Sequence, residues 1–282
     1  MSEFLHNYFK KHKFQFYFFN IIFIILLLKL TQLIAFPNIN YGYSREYYDG
    51  FEGTFTLKRL EYMFFGEKGE LGGLALTFVI ATIAIVFSFI FGSLLGVARY
   101  SDIKIIKIPA ILYIELFRAL PLIMVIFWIY FAIPIVGGAI FEIKMSVDAL
   151  TSAIISFTLF ESAYIAEIVR AGLKSIPKGQ FEAAKTLGMN PWQTFTIIIL
   201  PQAYRRMIPA IVSQFVSLFK DTSLVYVIGV VEFFRASTII NNRIYMDFEI
   251  LSFVAFVYFV CAFTLSKIAG KLEKSVEKQI NA

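Results

Sequence analysis

Residues 74–98 read LALTFVIATIAIVFSFIFGSLLGVA, twenty-five positions without one charged side chain. About 20 apolar residues make a helix long enough to cross roughly 30 Å of hydrocarbon, so this stretch reads as membrane-spanning. The rest of the chain has the same character. Of 282 residues 59% are hydrophobic and only 16% charged, with 33 Phe and 15 Tyr and a mean hydropathy of +0.73. Globular chains carry about a quarter charged residues, and a soluble domain of this length has too little interior to hide so much apolar surface. A soluble enzyme, a disordered chain and a nucleic-acid-binding module are excluded. One cysteine, Cys261, rules out a disulfide framework within the chain and an all-Cys zinc site, while His6 and His12 leave little material for metal chemistry. Neither a metal nor another cofactor is expected.

Five further stretches join the first, giving candidate spans near 14–36, 72–98, 109–135, 148–169, 203–231 and 248–270. The expectation is an all-α polytopic membrane protein with about six transmembrane helices. The first span is read as an uncleaved anchor, because its apolar run is long for a signal peptide and no small-x-small site follows it. Six spans put both termini on one side. The segments on that side hold 16 of the 26 Lys+Arg: Lys10, Lys11 and Lys13; Arg99, Lys104 and Lys107; Arg170 through Arg206; and Lys267 through Lys278. Seven lie opposite, and Lys29, Arg118 and Lys220 fall within spans. The excess of positive charge marks the cytoplasmic face, so both termini are expected there. Three regions follow: 1–71 (cytoplasmic tail, extra span and extracytoplasmic segment), 72–270 (the transmembrane domain) and a cytoplasmic tail, 271–282. Within 37–71, LKRLEYMFF separates basic from apolar residues around a helix, so it reads either as a segment lying along the membrane surface or as a solvated connector.

The cytoplasmic loop 171–202 is long for a helical bundle. Pro177 and Gly179 interrupt the helix leaving the fourth span, Glu182 to Leu187 is a run of good helix formers, and Gly188 suits the residue just past a helix end. Asn190 and Pro191 suit the cap and first turn of the next helix. The result is a compact helix–turn–helix in which Ala183 and Ala184 permit close approach by another protein.

Glu182-Ala183-Ala184, Gly188, Ile198, Leu200 and Pro201 stand at the spacing E-A-A-x3-G-x9-I-x-L-P. That signature resembles the ATP-binding-cassette importer permeases. The resemblance runs from about Leu74 to Phe263 and is closest to the polar amino-acid branch, particularly glutamate/aspartate permeases. Where many relatives carry Arg-Gly-Thr-Pro, this chain has Arg118-Ala119-Leu120-Pro121, and it has Phe160-Glu161 before Ser162. Residues 1–71 fall outside the resemblance. It implies a five-helix permease core in a bacterial inner membrane, with Glu182, Ala183, Ala184 and Gly188 forming the coupling helix that docks on an ATPase dimer. It further implies a second permease subunit, identical or homologous, and an extracytoplasmic amino-acid-binding protein. This chain contains no GKS or GKT phosphate loop, so ATP hydrolysis is expected on the partner and no catalytic residue here.

Polar side chains at bilayer depth are functional candidates. Counted along the expected spans, Arg118 and Glu161 both come near the midplane, and Glu115 is one turn from Arg118. Lys220 and Asp221 sit in the fifth span. One reading pairs Glu115–Arg118, Arg118–Glu161 and Lys220–Asp221 structurally. The other has them line a cavity for an amino acid, Arg118 taking a carboxylate, Glu161 the ammonium, Lys220 the second carboxylate of an acidic substrate, and Tyr164 the wall. Glu167 and Arg170 are expected to be structural. An ion-driven secondary transporter would favour inverted repeats and carboxylate or histidine relays, neither evident here, and an intramembrane hydrolase lacks any histidine in a span.

Overall fold

In the computed structural model, residues 56–66, 71–142 and 146–281 are described. The expected span 14–36 lies outside them. The described residues form helices without a named strand: α1 (Leu57–Phe65), α2 (Gly73–Tyr100), α3 (Lys104–Ala119), α4 (Leu122–Phe127), α5 (Ile133–Phe141), α6 (Ala149–Lys174), α7 (Lys178–Thr186), α8 (Pro191–Gln193), α9 (Leu200–Asp221), α10 (Phe233–Ile244) and α11 (Asp247–Asn281). A π turn at Trp128–Ala132 joins α4 to α5, another at Thr194–Ile199 joins α8 to α9, and 3-10 turns at Thr222–Ile228 continue α9. Among the described residues, five segments are long and apolar enough to cross a membrane: Gly73–Tyr100, Leu122–Ile140, Ala149–Lys174, Pro191–Ile228 and Asp247–Lys271.

The third span begins later than the expected 109–135. The residue before a proline is pushed out of helical geometry by the ring's Cδ; Leu120 sits at φ −91°, ψ 145° and Pro121 at φ −65°, ψ 134°. The helix therefore ends at Ala119 and restarts at Leu122. Arg118 accordingly belongs to the last turn of α3, not to the middle of a span. The fifth span starts at Pro191, and its α-helix closes at Asp221, so Lys220 and Asp221 are a helix terminus.

The centre of the fold is α6, which packs most extensively on α2. Lipid gives helices little hydrophobic reason to associate, so close van der Waals approach through small residues must supply it. One face of α2 carries Ala81, Ala84, Ser88, Gly92 and Gly96, all buried. A Cβ on Gly92 would stand 2.6 Å from Ile165 Cβ, and one on Gly96 would stand 2.6 Å from Ala166 O. The opposite face of α2, with Val86, Phe87, Ile90, Phe91 and Leu94, is exposed, as a lipid-facing surface should be.

Two buried clusters occupy the two ends of α6. One gathers Met63, Ile80, Ile126, Phe157, Phe219, Phe233 and Ile250 from seven helices. The other gathers Ile165, Val169, Leu173, Ile199, Ala203 and Met207 beside the 171–202 loop. The segment LKRLEYMFF is indeed a helix, α1; Met63 is fully buried and the Phe64 ring lies 5.8 Å from that of Phe233, whereas Leu57 and Phe65 are exposed.

Candidate functional site

Helix α6 presents Glu161 and, one turn on, Tyr164. Glu161 is fully buried. Its Oε2 accepts a 2.7 Å hydrogen bond from Gln214 Nε2 of α9, and its Oε1 has no hydrogen-bond partner among the described residues. The expected Arg118–Glu161 pair does not form. Arg118 instead rests its guanidinium 5.7 Å from the centroid of the Tyr164 ring, a cation–π distance, and makes no ion pair among the described residues. The shift of Arg118 to the end of α3 accounts for this: it approaches α6 beside Tyr164. Tyr164 and Glu161 lie one turn apart on α6, and Phe160 packs on the Tyr164 ring at 5.2 Å.

Two other expected pairs are also corrected. Glu115 turns away from Arg118 to meet Arg99 Nη2 at 2.8 Å, because α2 and α3 are joined by only a short turn that brings Arg99 alongside. Lys220 and Asp221 form no ion pair, since consecutive helical residues point about 100° apart. Glu167 and Arg170, for which only a structural role was expected, form an ion pair with each other, and Glu167 also meets Arg99 at 3.2 Å. Arg99 thereby links α2, α3 and α6. Nearby, the Tyr113 hydroxyl donates to Leu159 O and lies 2.9 Å from Ser162 Oγ, fixing α3 against α6.

The loop 171–202 has the anticipated form, built from local chemistry. Helix α7 starts earlier than Glu182, at Lys178, and ends in a paired set of backbone bonds: Gly188 N–H to Lys185 O at 3.0 Å and Met189 N–H to Ala184 O at 3.1 Å. These are the two bonds of a Schellman closure, which needs a left-handed residue; Gly188 supplies it at φ +75°. The next helix opens on a reciprocal capping box, Asn190 Oδ1 accepting from Gln193 N–H at 2.9 Å and Gln193 Oε1 from Asn190 N–H at 3.0 Å. Ala184 is buried, whereas Glu182, Ala183, Leu187 and Trp192 face outward. A Cβ on Gly188 would meet nothing within 4 Å. The turn therefore presents an unobstructed, partly apolar knob. Arg206 Nη1 donates to Ser175 O at 2.7 Å, tying the end of α6 to α9 just before the knob.

Three residues escaped the sequence reading. Gln214 is neutral, so no charge within a span marks it. Arg99 was counted as a loop charge. Glu232 is a fully buried carboxylate that caps α10, accepting from Phe234 N–H (2.9 Å), Arg235 N–H (2.7 Å) and the Tyr258 hydroxyl (3.0 Å). Thr77 Oγ1 accepts from Phe233 N–H at 3.1 Å, and Gly73 N–H donates to Val231 O at 2.9 Å, so the start of α2 belongs to the same knot. Burial pushes the Glu232 carboxyl up to about 7, its hydrogen bonds opposing that rise. No group of three or more His, Cys, Asp or Glu able to hold a metal ion occurs among the described residues.

Residues 91–278 match the family described as binding-protein-dependent transport system inner membrane component. The glutamate/aspartate import permease protein of Escherichia coli is 40% identical over 205 residues, covering 72% of this chain and 92% of that protein. A probable glutamine ABC transporter permease protein of Bacillus subtilis is 40% identical over 226 residues, covering 79% and 97%. Among solved structures, the crystal structure of an amino acid ABC transporter with histidines matches at a TM-score of 0.66 and 33% identity, over 72% of this chain and 92% of that one.

Proposed function

Because this chain belongs to the binding-protein-dependent transport system inner membrane components, among the permeases of amino-acid ABC importers, we propose that it forms the translocation path for an acidic amino acid. Arg118 and Lys220 receive the two carboxylates, Glu161 the ammonium, and Tyr164 the wall between. The observation that carries this reading is that, among the described residues, the exposed Arg118 guanidinium beside the Tyr164 ring makes no ion pair, and the buried Glu161 carboxylate one turn away on α6 makes none either. An amino acid brings the complementary charges, and an Arg fork matches a carboxylate in geometry. The Escherichia coli relative's glutamate/aspartate label favours the acidic side chain. The Bacillus subtilis relative's glutamine label favours a second reading, in which a neutral or otherwise polar amino acid occupies the same site.

Transport is driven from outside the chain. An ATPase dimer grips the knob through the exposed Glu182, Ala183 and Gly188, with Ala184 buried beneath them, and ATP binding draws two such knobs together. Rigid helices then alternate the access of the cavity between the two faces. A second permease subunit completes the path, and an extracytoplasmic binding protein delivers the substrate. The knob and both termini face the cytoplasm of a bacterial cell, in keeping with the distribution of Lys and Arg.

The test is uptake of radiolabelled glutamate, aspartate and glutamine into vesicles holding ATP inside and binding protein outside. ATP-dependent uptake with glutamate or aspartate preferred is expected. Arg118→Gln should impair glutamate uptake more than glutamine uptake; equal loss would show that Arg118 does not read the side-chain charge, and uptake driven by an ion gradient without ATP would overturn the ABC assignment.

A further inference from the structure

Gln214 has no part in the site just proposed, yet it makes the one hydrogen bond that Glu161 receives among the described residues. We infer that Gln214 is a positioning residue for the substrate's ammonium: it pins Glu161 Oε2 so that Oε1, buried and without a partner among the described residues, is held in one place as the acceptor. This rests on Glu161 being the ammonium site.

The terminal torsion of a glutamate is broad and roughly two-fold, so a carboxylate does not by itself hold an oxygen in one place. A 2.7 Å bond from a neighbouring helix removes that freedom. The chemistry of the donor matters as much as its position. A lysine or arginine at this place would neutralise Glu161 and repel an ammonium. An amide donates a hydrogen bond and leaves the negative charge uncompensated. A fully buried carboxylate with one oxygen satisfied and the other bare is an expensive arrangement for a structural group. As half of a site completed by a cation it is economical. Asp221 lies seven residues beyond Gln214, two turns along the same face of α9, so the nearest charge on that face adds negative potential.

The bond also crosses the boundary that has to move. Gln214 rides on α9, which continues from the 171–202 knob through the π turn at Thr194–Ile199, whereas Glu161 rides on α6. Displacement of α9 relative to α6 lengthens the bond and frees the carboxylate to rotate, so affinity for the ammonium falls as the knob is pulled.

The experiment measures equilibrium binding to the purified permease–ATPase complex, without binding protein, of glutamate or glutamine, whichever the wild type holds more tightly. The same measurement is made with that ligand's deaminated counterpart, glutarate or glutaramate. Gln214→Leu is expected to weaken the amino acid by about tenfold or more, the worth of a hydrogen bond to a charged group, and to leave the deaminated acid unchanged. Gln214→Lys is expected to abolish preference for the amino acid. The exchanged pair Glu161→Gln with Gln214→Glu restores one carboxylate and one amide, and is expected to recover part of the preference lost in Glu161→Gln alone. Equal weakening of amino acid and deaminated acid in Gln214→Leu, or no weakening of either, overturns the positioning role while leaving the transport reading intact. A wild-type complex that binds neither amino acid and supports no ATP-dependent uptake overturns both.

Discussion

Gly96 of α2 lies against the backbone of Ala166 on α6 so closely that a Cβ on the glycine would stand 2.6 Å from the Ala166 carbonyl oxygen. The obstacle is backbone and has no rotamer to give. Gly96→Val should therefore wedge the central helix pair apart, with a loss of about 1–3 kcal/mol or more, as overpacked cores show. Gly270→Val, on α11 where a Cβ meets nothing within 4 Å, is the matched control. Thermal denaturation in detergent checks both: a lowered midpoint for Gly96→Val and little change for Gly270→Val.

The Arg99 node carries a second contrast. Its two carboxylate partners differ in exposure, Glu115 at 58% and Glu167 at 24%. Exposed pairs contribute at most about 1 kcal/mol and are screened by salt, so Glu115→Gln should be nearly silent at physiological ionic strength. Glu167→Gln leaves both Arg99 and Arg170 short of a partner in a half-buried setting and should cost more, about 1–3 kcal/mol. Equal midpoints for the two variants would show that Glu167 is no more than another surface charge.

What the sequence disclosed and what it concealed divide along the range of the forces involved. The spans near 72–98, 148–169 and 248–270 are found almost where expected, because an uninterrupted apolar run decides them locally. The knob from Lys178 to Gln193 was equally legible, since proline, Gly188 and the Asn190–Gln193 pair act over four or five residues. The span expected at 109–135 was misjudged by weighing hydropathy above Pro121, whose steric effect on Leu120 ends α3. The ion pairs were not legible. Glu115 and Arg118 match by spacing along one helix, and Arg118 and Glu161 by depth counted along two spans, but partners are set by which helices abut, a long-range property that places Arg99 beside Glu115 and Gln214 beside Glu161.

Glu232 supplies a pH dependence. Its carboxyl stands at about 7 in the fold against an ordinary 4.5, so the folded state holds this proton more tightly than the unfolded state does. The stabilisation is complete below pH 4.5 and is lost as pH rises through about 7. Glu232→Gln cannot ionise and, although it weakens the cap of α10, should remove this slope. Melting midpoints across that window, wild type minus variant, should therefore decline with rising pH. A flat difference would mean that the group keeps its ordinary value.

Gly188 separates two demands made on the knob. Its φ of +75° costs a residue with a Cβ about 1–2 kcal/mol, asparagine being the most tolerant alternative. The space around it is open, so bulk at this site meets nothing within the chain. Gly188→Asn should keep both the fold and ATP-dependent uptake near wild type. Gly188→Trp should keep the permease inserted with a modestly lowered melting midpoint, yet lose co-purification with the ATPase and abolish uptake, because its side chain fills the surface where the partner docks. Gly188→Ala separates the causes: it bears the backbone strain of the tryptophan without its bulk, so it should retain the ATPase. If Gly188→Ala loses the ATPase as fully as Gly188→Trp, backbone geometry alone governs docking, and the open space beside Gly188 is not the contact surface.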